Sequence, residues 1–241
     1  MIGKFKHGTE IFEGNVQDER VISLGGDVYD VNSLDILAPS SPSKIICVGL
    51  NYIDHAKELD MDIPDEPIIF MKPPSSVIGH GAKIIYPSCS NRVDYEAELA
   101  VVIGQQCHGI HAEKAQSVIE GYTCFNDLTA RDLQQKDGQW TRAKGFDTFS
   151  PIGPFITPVE EFNASAANIK CSVNGTTRQN SSISRLIFDV DFLIEFISSV
   201  MTLEKGDVIA TGTPPGVGEL NSGDSVDVTI EGIGTLSNEV S

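Results

Sequence analysis

A run of alternating carboxylates is the strongest chemical feature of this sequence and occupies residues 94–102. Successive side chains of a β-strand point to opposite faces, so a strand here places Asp94, Glu96 and Glu98 on one face and apolar side chains on the other. Neighbouring carboxylates repel each other unless water or a cation neutralises them. The run therefore predicts either a solvated edge strand or a site for a hard cation such as Mg²⁺, Mn²⁺ or Ca²⁺, which bind oxygen ligands.

A possible acid–base pair, His55 and Glu58, lies within the helix-forming segment Asn51–Leu59. Residues three apart lie on the same face of a helix, so the Glu58 carboxylate can orient the His55 imidazole as a general base. The same spacing is common among surface ion pairs, which contribute little to stability. The pair alone leaves both interpretations open.

Three further segments place polar or constrained residues between predicted elements. Asp127 or Thr129 could cap a short helix that opens after Asn126. A polar loop over residues 140–148 carries Lys144. The loop at residues 212–218 combines prolines that fix φ with glycines that permit close backbone approach, so it predicts either a ligand contact or a plain tight turn.

The elements that must position these residues fall into two predicted parts. Residues 1–38 contain short β-like pieces separated by glycines, and residues 38–43 have the proline- and serine-rich composition of a linker. We therefore predict a small N-terminal β appendage with its linker over residues 1–43 and a catalytic domain over residues 44–241.

Short strands and a few helices are predicted within the second part. Strands are expected at residues 44–49, 68–72, 122–125, 208–211, 226–230 and 235–240, with a hairpin turn at Asn174-Gly175. Helices are expected over His111–Glu120, with Gly121 as the C-terminal stop, and over Asp189–Met201. Residues 60–67 are rich in proline and aspartate and predict an irregular, mobile flap.

Composition limits the kinds of partner and compartment. Seventeen basic and thirty-four acidic residues give a net charge of −17, which disfavours nucleic acid or an anionic membrane as a partner. The sequence lacks a membrane-length apolar run and an N-terminal signal-peptide pattern, so a cytoplasmic location is predicted. The five cysteines are odd in number and have no CxxC spacing, which favours small buried residues over disulfides or zinc ligands.

Five ordered motifs together resemble the fumarylacetoacetate hydrolase family, in particular its short acylpyruvate hydrolase and oxaloacetate decarboxylase-like members. The resemblance spans residues 44–241. The motifs are Gly49–Glu58, Asp94–Leu99, Asn126–Gln134, Lys144–Thr148 and Gly212–Gly218. It implies an α+β fold, a mixed β-roll with short helices like the C-terminal domain of that family, and assembly as a homodimer.

The resemblance also implies a set of site residues. Glu96, Glu98 and Asp127 would bind Mg²⁺ or Mn²⁺, with Ca²⁺ as a further possibility in vitro, and Asp94 would support them. Catalysis would use Lys144 beside the metal together with His55 and Glu58. Arg131, Gln134 and Thr213 would bind the substrate carboxylate and its far end.

The implied chemistry is enolate chemistry on a small-molecule 2-oxo acid. Cleavage of the C–C bond of an acylpyruvate or related 2,4-dioxo acid leaves an enolate, whose charge a metal and Lys144 can stabilise. The same pocket could instead decarboxylate oxaloacetate, or isomerise or decarboxylate 2-hydroxy-dienoic diacids of aromatic catabolism. A non-catalytic metabolite-binding protein on the same fold is a further alternative, and the presence of all six ligand, lysine and dyad residues argues against it.

Overall fold

Three β-sheets make up most of the computed structural model, which describes residues 1–241. Its strands are β1 (Ile2–His7), β2 (Glu10–Gln17), β3 (Arg20–Ser23), β4 (Val28–Asp30), β5 (Asp35–Leu37), β6 (Ile45–Val48), β7 (Ile69–Lys72), β8 (Val77–Ile78), β9 (Lys83–Ile84), β10 (Val93–Tyr95), β11 (Ala97–Ile103), β12 (Ile119–Asn126), β13 (Thr129–Ala130), β14 (Ser150–Pro158), β15 (Asn168–Val173), β16 (Thr176–Ser182), β17 (Val208–Ala210), β18 (Gly218–Leu220), β19 (Ser225–Ile230) and β20 (Gly234–Val240). Its helices are α1 (Ile53–Glu58), α2 (Arg131–Asp137), α3 (Thr141–Lys144) and α4 (Val190–Val200). Short 3₁₀ segments connect several of them. This sheet-dominated α+β architecture with short helices confirms the predicted fold class.

The largest sheet mixes parallel and antiparallel pairs. Its strand order is β4-β3-β2-β1-β14-β12-β11-β17-β6-β7, with β5 beside β1 and β8 beside β14. β17 and β6 run parallel, whereas β11 pairs antiparallel with both β12 and β17. A five-stranded sheet, ordered β16-β15-β19-β20-β9, packs against it, and Leu99 of β11 shares one buried core with Ile169 and Val228. The two sheets therefore enclose the main core.

The N-terminal strands extend the large sheet and carry a small core of their own. β1 pairs with β14 through Ile2 and Ile156. Phe5, Val16 and Val21 are buried in a separate cluster, and the ring centroid of Phe5 lies 5.9 Å from that of Phe155. β2 and β5, which the sequence analysis did not identify, complete this region.

The carboxylate run is buried and is divided between two strands. β10 belongs to a three-stranded sheet with β13 and β18, and β11 belongs to the large sheet, so the chain changes sheet at Glu96. Asp94, Glu96 and Glu98 are each at most 7% exposed. The prediction of one continuous strand is wrong at Glu96, and the alternative of a solvated edge strand is wrong throughout.

Residues 111–120 do not form the expected amphipathic helix. A 3₁₀ segment covers residues 112–118, and Gly121 lies inside β12. A Cβ atom at Gly121 would lie 2.3 Å from the Thr157 carbonyl oxygen of the neighbouring strand. The glycine therefore permits close pairing of β12 with β14, whereas the sequence analysis interpreted it as a helix stop.

Other local predictions are confirmed or corrected as follows. The Asn174-Gly175 hairpin is confirmed, with φ of 50° and 75° at its two residues. The predicted helix at residues 189–201 is α4, which Asp189 caps through the Phe192 backbone N–H. Residues 60–67 contain no helix or strand, as expected. The segment at 140–148 is not entirely loop, since it contains α3.

The cysteines form no disulfides. Four of the five cysteines are buried and all five are free thiols, but Cys89 is exposed, contrary to the prediction. No helix of the protein combines the length and the apolar character needed to cross a membrane.

Candidate metal centre and active site

Three buried carboxylates meet where β11, β12 and the chain after β12 come together. β11 pairs with β12 so that Ala97 lies opposite Asn126, and the Asp127 backbone N–H donates to the Glu96 carbonyl at 2.8 Å. This register places one carboxylate oxygen each of Glu96, Glu98 and Asp127 within 4.8 Å of one another. The three predicted metal ligands are therefore brought together.

Glu96 is surrounded by cationic donors. Lys144 Nζ donates to its Oε2 at 2.8 Å, and Arg131 Nη2 and Thr129 Oγ1 donate to its Oε1. Burial raises the pKa of Glu96, but Lys144 and Arg131 outweigh burial and hold that pKa down to about 2. Glu96 is therefore ionised across the physiological pH range.

Asp127 is a ligand candidate rather than a helix cap. Its Oδ2 accepts from Lys144 Nζ at 2.6 Å, and its Oδ1 accepts from Lys72 Nζ. α2 begins four residues later, and Ala130 at its N-terminus supplies no side-chain cap. The capping interpretation of Asp127 and Thr129 is therefore wrong, because both side chains face the carboxylate cluster.

Glu98 is the one member of the triad without a cationic partner. Its Oε2 accepts only the Gly212 backbone N–H, at 2.9 Å. Burial, together with the charges of Asp127 and Glu96, raises the pKa of Glu98 well above its usual value. The buried Tyr52 hydroxyl, whose pKa is also raised by burial and by Glu98, has no hydrogen-bond partner. A divalent cation held by these hard oxygen donors would balance the negative charge of Glu98, so the residues fit Mg²⁺ or Mn²⁺.

The Gly212–Gly218 loop supplies the backbone N–H that bonds Glu98, and its first position requires a glycine. Gly212 has φ of +97°, and a Cβ atom there would lie 2.8 Å from Asn51 Cβ. The Thr211 backbone N–H bonds the Leu99 carbonyl, which ties the loop to β11. The loop thus makes a specific contact with the site and is more than a plain turn.

Two buried lysines balance the carboxylates. Lys144, at the end of α3, is 2% exposed, and although burial lowers the pKa of its ammonium, Asp127 and Glu96 raise it overall. Lys72, at the end of β7, is 1% exposed and also donates to the Phe149 and Leu128 carbonyls. No role was predicted for Lys72 from the sequence, although a lysine that ends an apolar strand immediately before Pro73 could have indicated a buried charge.

The His55–Glu58 pair is formed on α1, and His55 lines a cavity together with Glu96 and Lys144. His55 Nδ1 lies 2.8 Å from Glu58 Oε2, and the Gly216 backbone N–H donates to Glu58 Oε1 at 3.1 Å. His55 is 8% exposed, whereas the Glu58 side chain is 41% exposed, so the imidazole is the buried half of the pair. The Gly216 contact, which the sequence did not suggest, fixes the carboxylate that orients the imidazole.

The three predicted substrate-binding residues also reach the cavity but have protein partners. Arg131 Nε donates to Asp94 at 2.9 Å, and its Nη1 donates to Gln134 Oε1 at 2.7 Å. Thr213 Oγ1 donates to the Ala97 carbonyl at 2.9 Å. Asp94 thus holds the Arg131 guanidinium in place beside the carboxylate cluster.

A cavity of about 360 Å³ is bordered by six of the candidate site residues, whereas Glu58, Glu98 and Asp127 lie outside its lining. It is lined by Val48, Gly49, Leu50, His55, Leu59, Met61, Ile68, Phe70, Glu96, Arg131, Gln134, Gln135, Trp140, Lys144 and Thr213. A larger cavity of about 610 Å³, between Phe162 and Asp191, shares no lining residue with it. The smaller cavity is the candidate active site because it contains the ionisable groups arranged for chemistry.

Comparison with known proteins agrees with this geometry. Residues 44–241 match the family described as fumarylacetoacetate (FAA) hydrolase, C-terminal. The chain belongs to the fumarylacetoacetate hydrolase family. An Archaeoglobus fulgidus protein of unassigned activity is 55% identical over 239 residues, 99% of this chain and 95% of its own. The oxaloacetate tautomerase YisK of Bacillus subtilis is 44% identical over 230 residues, 90% of this chain and 76% of its own.

Solved structures of the same family share the whole fold. A 5-carboxymethyl-2-hydroxymuconate delta-isomerase from Mycobacterium smegmatis superposes with a TM-score of 0.93 at 41% identity, covering 99% of this chain and 97% of its own. A maleylpyruvate hydrolase from a Sphingobium species, solved with manganese(II) and pyruvate, superposes with a TM-score of 0.86 at 26% identity, covering 99% and 98%. Members of this fumarylacetoacetate hydrolase family are therefore enzymes with several reactions on one fold.

Proposed function

We propose that the protein is a divalent-metal-dependent hydrolase that cleaves the C–C bond of acylpyruvates or related 2,4-dioxo acids. The observation that carries this proposal is the presence of two kinds of machinery on one cavity. His55, which Glu58 orients, lines the cavity and would supply a base. Lys144 and Glu96 line the same cavity and, together with Glu98 and Asp127, would supply charge stabilisation. A base that activates water and a centre that stabilises an enolate are the two requirements of this cleavage.

Glu96, Glu98 and Asp127 would hold the metal, with Mg²⁺ or Mn²⁺ the ions that their oxygen donors favour. When bound, the cation would act as a Lewis acid toward a 2-oxo acid and lower the energy of the charge that develops on it. Lys144 lies within hydrogen-bond distance of two of these carboxylates, where its ammonium can donate to an oxygen of the substrate.

The proposed steps use the chain's own groups. His55 takes a proton from water, and Glu58 holds the resulting imidazolium in place. The water oxygen attacks the distal acyl carbonyl carbon, the bond from that carbon to C3 breaks, and its electron pair passes into the enolate of pyruvate. The proton held by His55 then passes to C3, which yields pyruvate and restores the neutral imidazole, and the acyl group leaves as a carboxylic acid.

Oxaloacetate is the second candidate substrate, because a relative 44% identical to this chain is an oxaloacetate tautomerase. In that reaction His55 would move a proton between C3 and the enol oxygen without any attack by water. Decarboxylation of oxaloacetate and isomerisation of 2-hydroxy-dienoic diacids use the same enolate-stabilising groups.

We further propose a cytoplasmic homodimer that binds neither nucleic acid nor membrane, which light scattering and cell fractionation would check.

A substrate panel separates these reactions. Acetylpyruvate, an acylpyruvate with a branched alkyl acyl group, fumarylpyruvate and oxaloacetate would each be assayed with Mg²⁺, with Mn²⁺ and with excess chelator. We expect metal-dependent release of pyruvate from an acylpyruvate that exceeds turnover of oxaloacetate. Metal-dependent tautomerisation of oxaloacetate without acylpyruvate cleavage would replace the first proposal by the second.

A further inference from the structure

One wall of the active-site cavity is apolar and lies directly beside the catalytic lysine. Phe70 and Trp140 meet edge to face with ring centroids 5.1 Å apart, and Lys144 Nζ lies 5.1 Å from the Phe70 centroid. Leu59, Met61 and Ile68 continue this wall, each about half exposed. We call these five residues the apolar wall.

The backbone makes room for this wall. A Cβ atom at Gly49 would lie 3.2 Å from the Trp140 ring, so the glycine lets the indole lie against the chain just after β6. Trp140 immediately precedes α3, whose last residue is Lys144. The same short helix therefore positions both the indole and the ammonium, so a substrate that contacts Lys144 lies close to the wall.

The cationic groups of the cavity are already paired. Arg131 donates to Asp94, Glu96 and Gln134, and Lys144 donates to Glu96 and Asp127. The cavity is lined by only three basic side chains, and none of them belongs to the apolar wall: His55, Arg131 and Lys144. A second carboxylate on the substrate would lie against this wall without a counter-ion, which is unfavourable, whereas an alkyl group would gain by leaving water.

We propose that the apolar wall is an acyl-group subsite and that it selects 2-oxo acids whose distal group is uncharged, apolar and larger than a methyl group. This inference rests on the proposed function, because it assumes that the 2-oxo acid end lies at the acidic triad. It names Trp140, Phe70 and Met61 as specificity-determining residues.

Trp140 provides a binding assay that does not depend on turnover, since it is the single tryptophan of the chain. Its fluorescence would be titrated in Mg²⁺ with pyruvate, with 2-oxoglutarate and with 5-methyl-2-oxohexanoate, in which an isopropyl group replaces the distal carboxylate at equal size. We expect the apolar acid to bind about tenfold or more tightly than pyruvate, from roughly fourfold per buried methylene. We expect 2-oxoglutarate to bind no more tightly than pyruvate.

The outcomes separate the two proposals. Tighter binding of 2-oxoglutarate than of 5-methyl-2-oxohexanoate would overturn the subsite while leaving 2-oxo acid recognition intact. Absence of pyruvate binding would overturn the proposed function, and the subsite with it.

A charge placed on the wall provides the second test. Met61→Lys introduces an ammonium on the wall, and Ile63→Lys is its matched control, because Ile63 lies in the same segment, is 54% exposed and does not line the cavity. In Met61→Lys the dissociation constant of the apolar acid divided by that of 2-oxoglutarate should rise by about tenfold or more, because the new ammonium favours the second carboxylate of 2-oxoglutarate. It should not change in Ile63→Lys. An unchanged ratio in Met61→Lys, or an equal shift in both variants, would refute the subsite, since loss of folding alone does not alter a ratio.

Discussion

Glu98 has no cationic side-chain partner, so among the proposed ligands it is the one whose charge a metal would most directly balance. Glu98→Gln keeps the size and removes the charge, so we expect Mg²⁺ or Mn²⁺ affinity to fall at least tenfold. Isothermal titration calorimetry measures this, with the exposed Glu219→Gln as control. Equal affinity in Glu98→Gln and the control would show that Glu98 is not a ligand.

Lys144 contributes both to the charge of the site and to the stability of the fold. Lys144→Met should abolish most activity and, in chelator, lower the free energy of unfolding by about 3–5 kcal/mol, because two buried carboxylates lose a partner. Added Mg²⁺ should recover part of that stability, as a cation replaces the ammonium. Urea denaturation with and without Mg²⁺ checks this, with the exposed Lys136→Met of α2 as control. A Lys144→Met variant with full activity would remove Lys144 from the mechanism.

Variants of His55 and Glu58 should separate acylpyruvate hydrolysis from oxaloacetate decarboxylation. His55→Ala or Glu58→Gln should reduce acylpyruvate hydrolysis by about 10² or more, the scale of a lost general base. Oxaloacetate decarboxylation needs no attacking water and should fall much less. The exposed His111–Glu195 pair offers a matched control through His111→Ala. Equal loss of both activities would mean that α1 serves to shape the cavity rather than to activate water.

The turn before β17 and the start of β6 are joined by one buried carboxylate. Asp207 accepts from the Ser43 hydroxyl at 2.7 Å, from the Glu204 backbone N–H at 2.8 Å and from the Lys44 ammonium. Burial raises the pKa of Asp207, but these donors, led by Lys44, hold that pKa below its usual value. The carboxylate therefore stabilises the folded protein above about pH 4, and this contribution is lost as the pH falls through the lowered pKa.

Asp207→Asn tests this pH dependence. At pH 7 the variant should lose about 2 kcal/mol or more of unfolding free energy, and the difference from the parent should shrink below about pH 4. Urea denaturation at a series of pH values measures the difference, with the exposed Asp35→Asn of β5 as control. A difference that did not depend on pH would show that hydrogen-bond geometry, rather than charge, accounts for the loss.

Sequence reasoning succeeded where local pattern decides structure. The hairpin at Asn174-Gly175 and helix α4 follow from turn chemistry and helical periodicity. It failed at Gly121, where close pairing of two strands that are distant in sequence overrides local preference. The identities of the triad, the dyad and Lys144 were predicted through the motifs that they occupy. Lys72 and the apolar wall were not, because their roles arise only when β7 and α3 meet at the cavity.

At the scale of the whole molecule, the predicted domain boundary near residue 43 can be tested directly. All proposed ligands and catalytic residues lie within residues 44–241, so that segment alone should still bind Mg²⁺. Without β1 it exposes an edge of β14 and the Phe155 ring, and we expect a lower melting temperature and aggregation. Calorimetry and light scattering on the 44–241 segment check both expectations. Loss of metal binding in a folded segment would show that the N-terminal strands shape the site.

The position of β17 has a consequence for how the protein is made. β17 lies between β11 and β6, and its parallel register pairs Val208 with Ile45. During synthesis the antiparallel pair β6–β7 emerges well before β17, and β6 has no neighbour on its other side until residues 208–210 leave the ribosome. Gly212, which donates to Glu98, follows immediately. We expect the large sheet and the proposed metal centre to form together only after residues 208–212 have left the ribosome, with slow folding typical of long-range strand pairing.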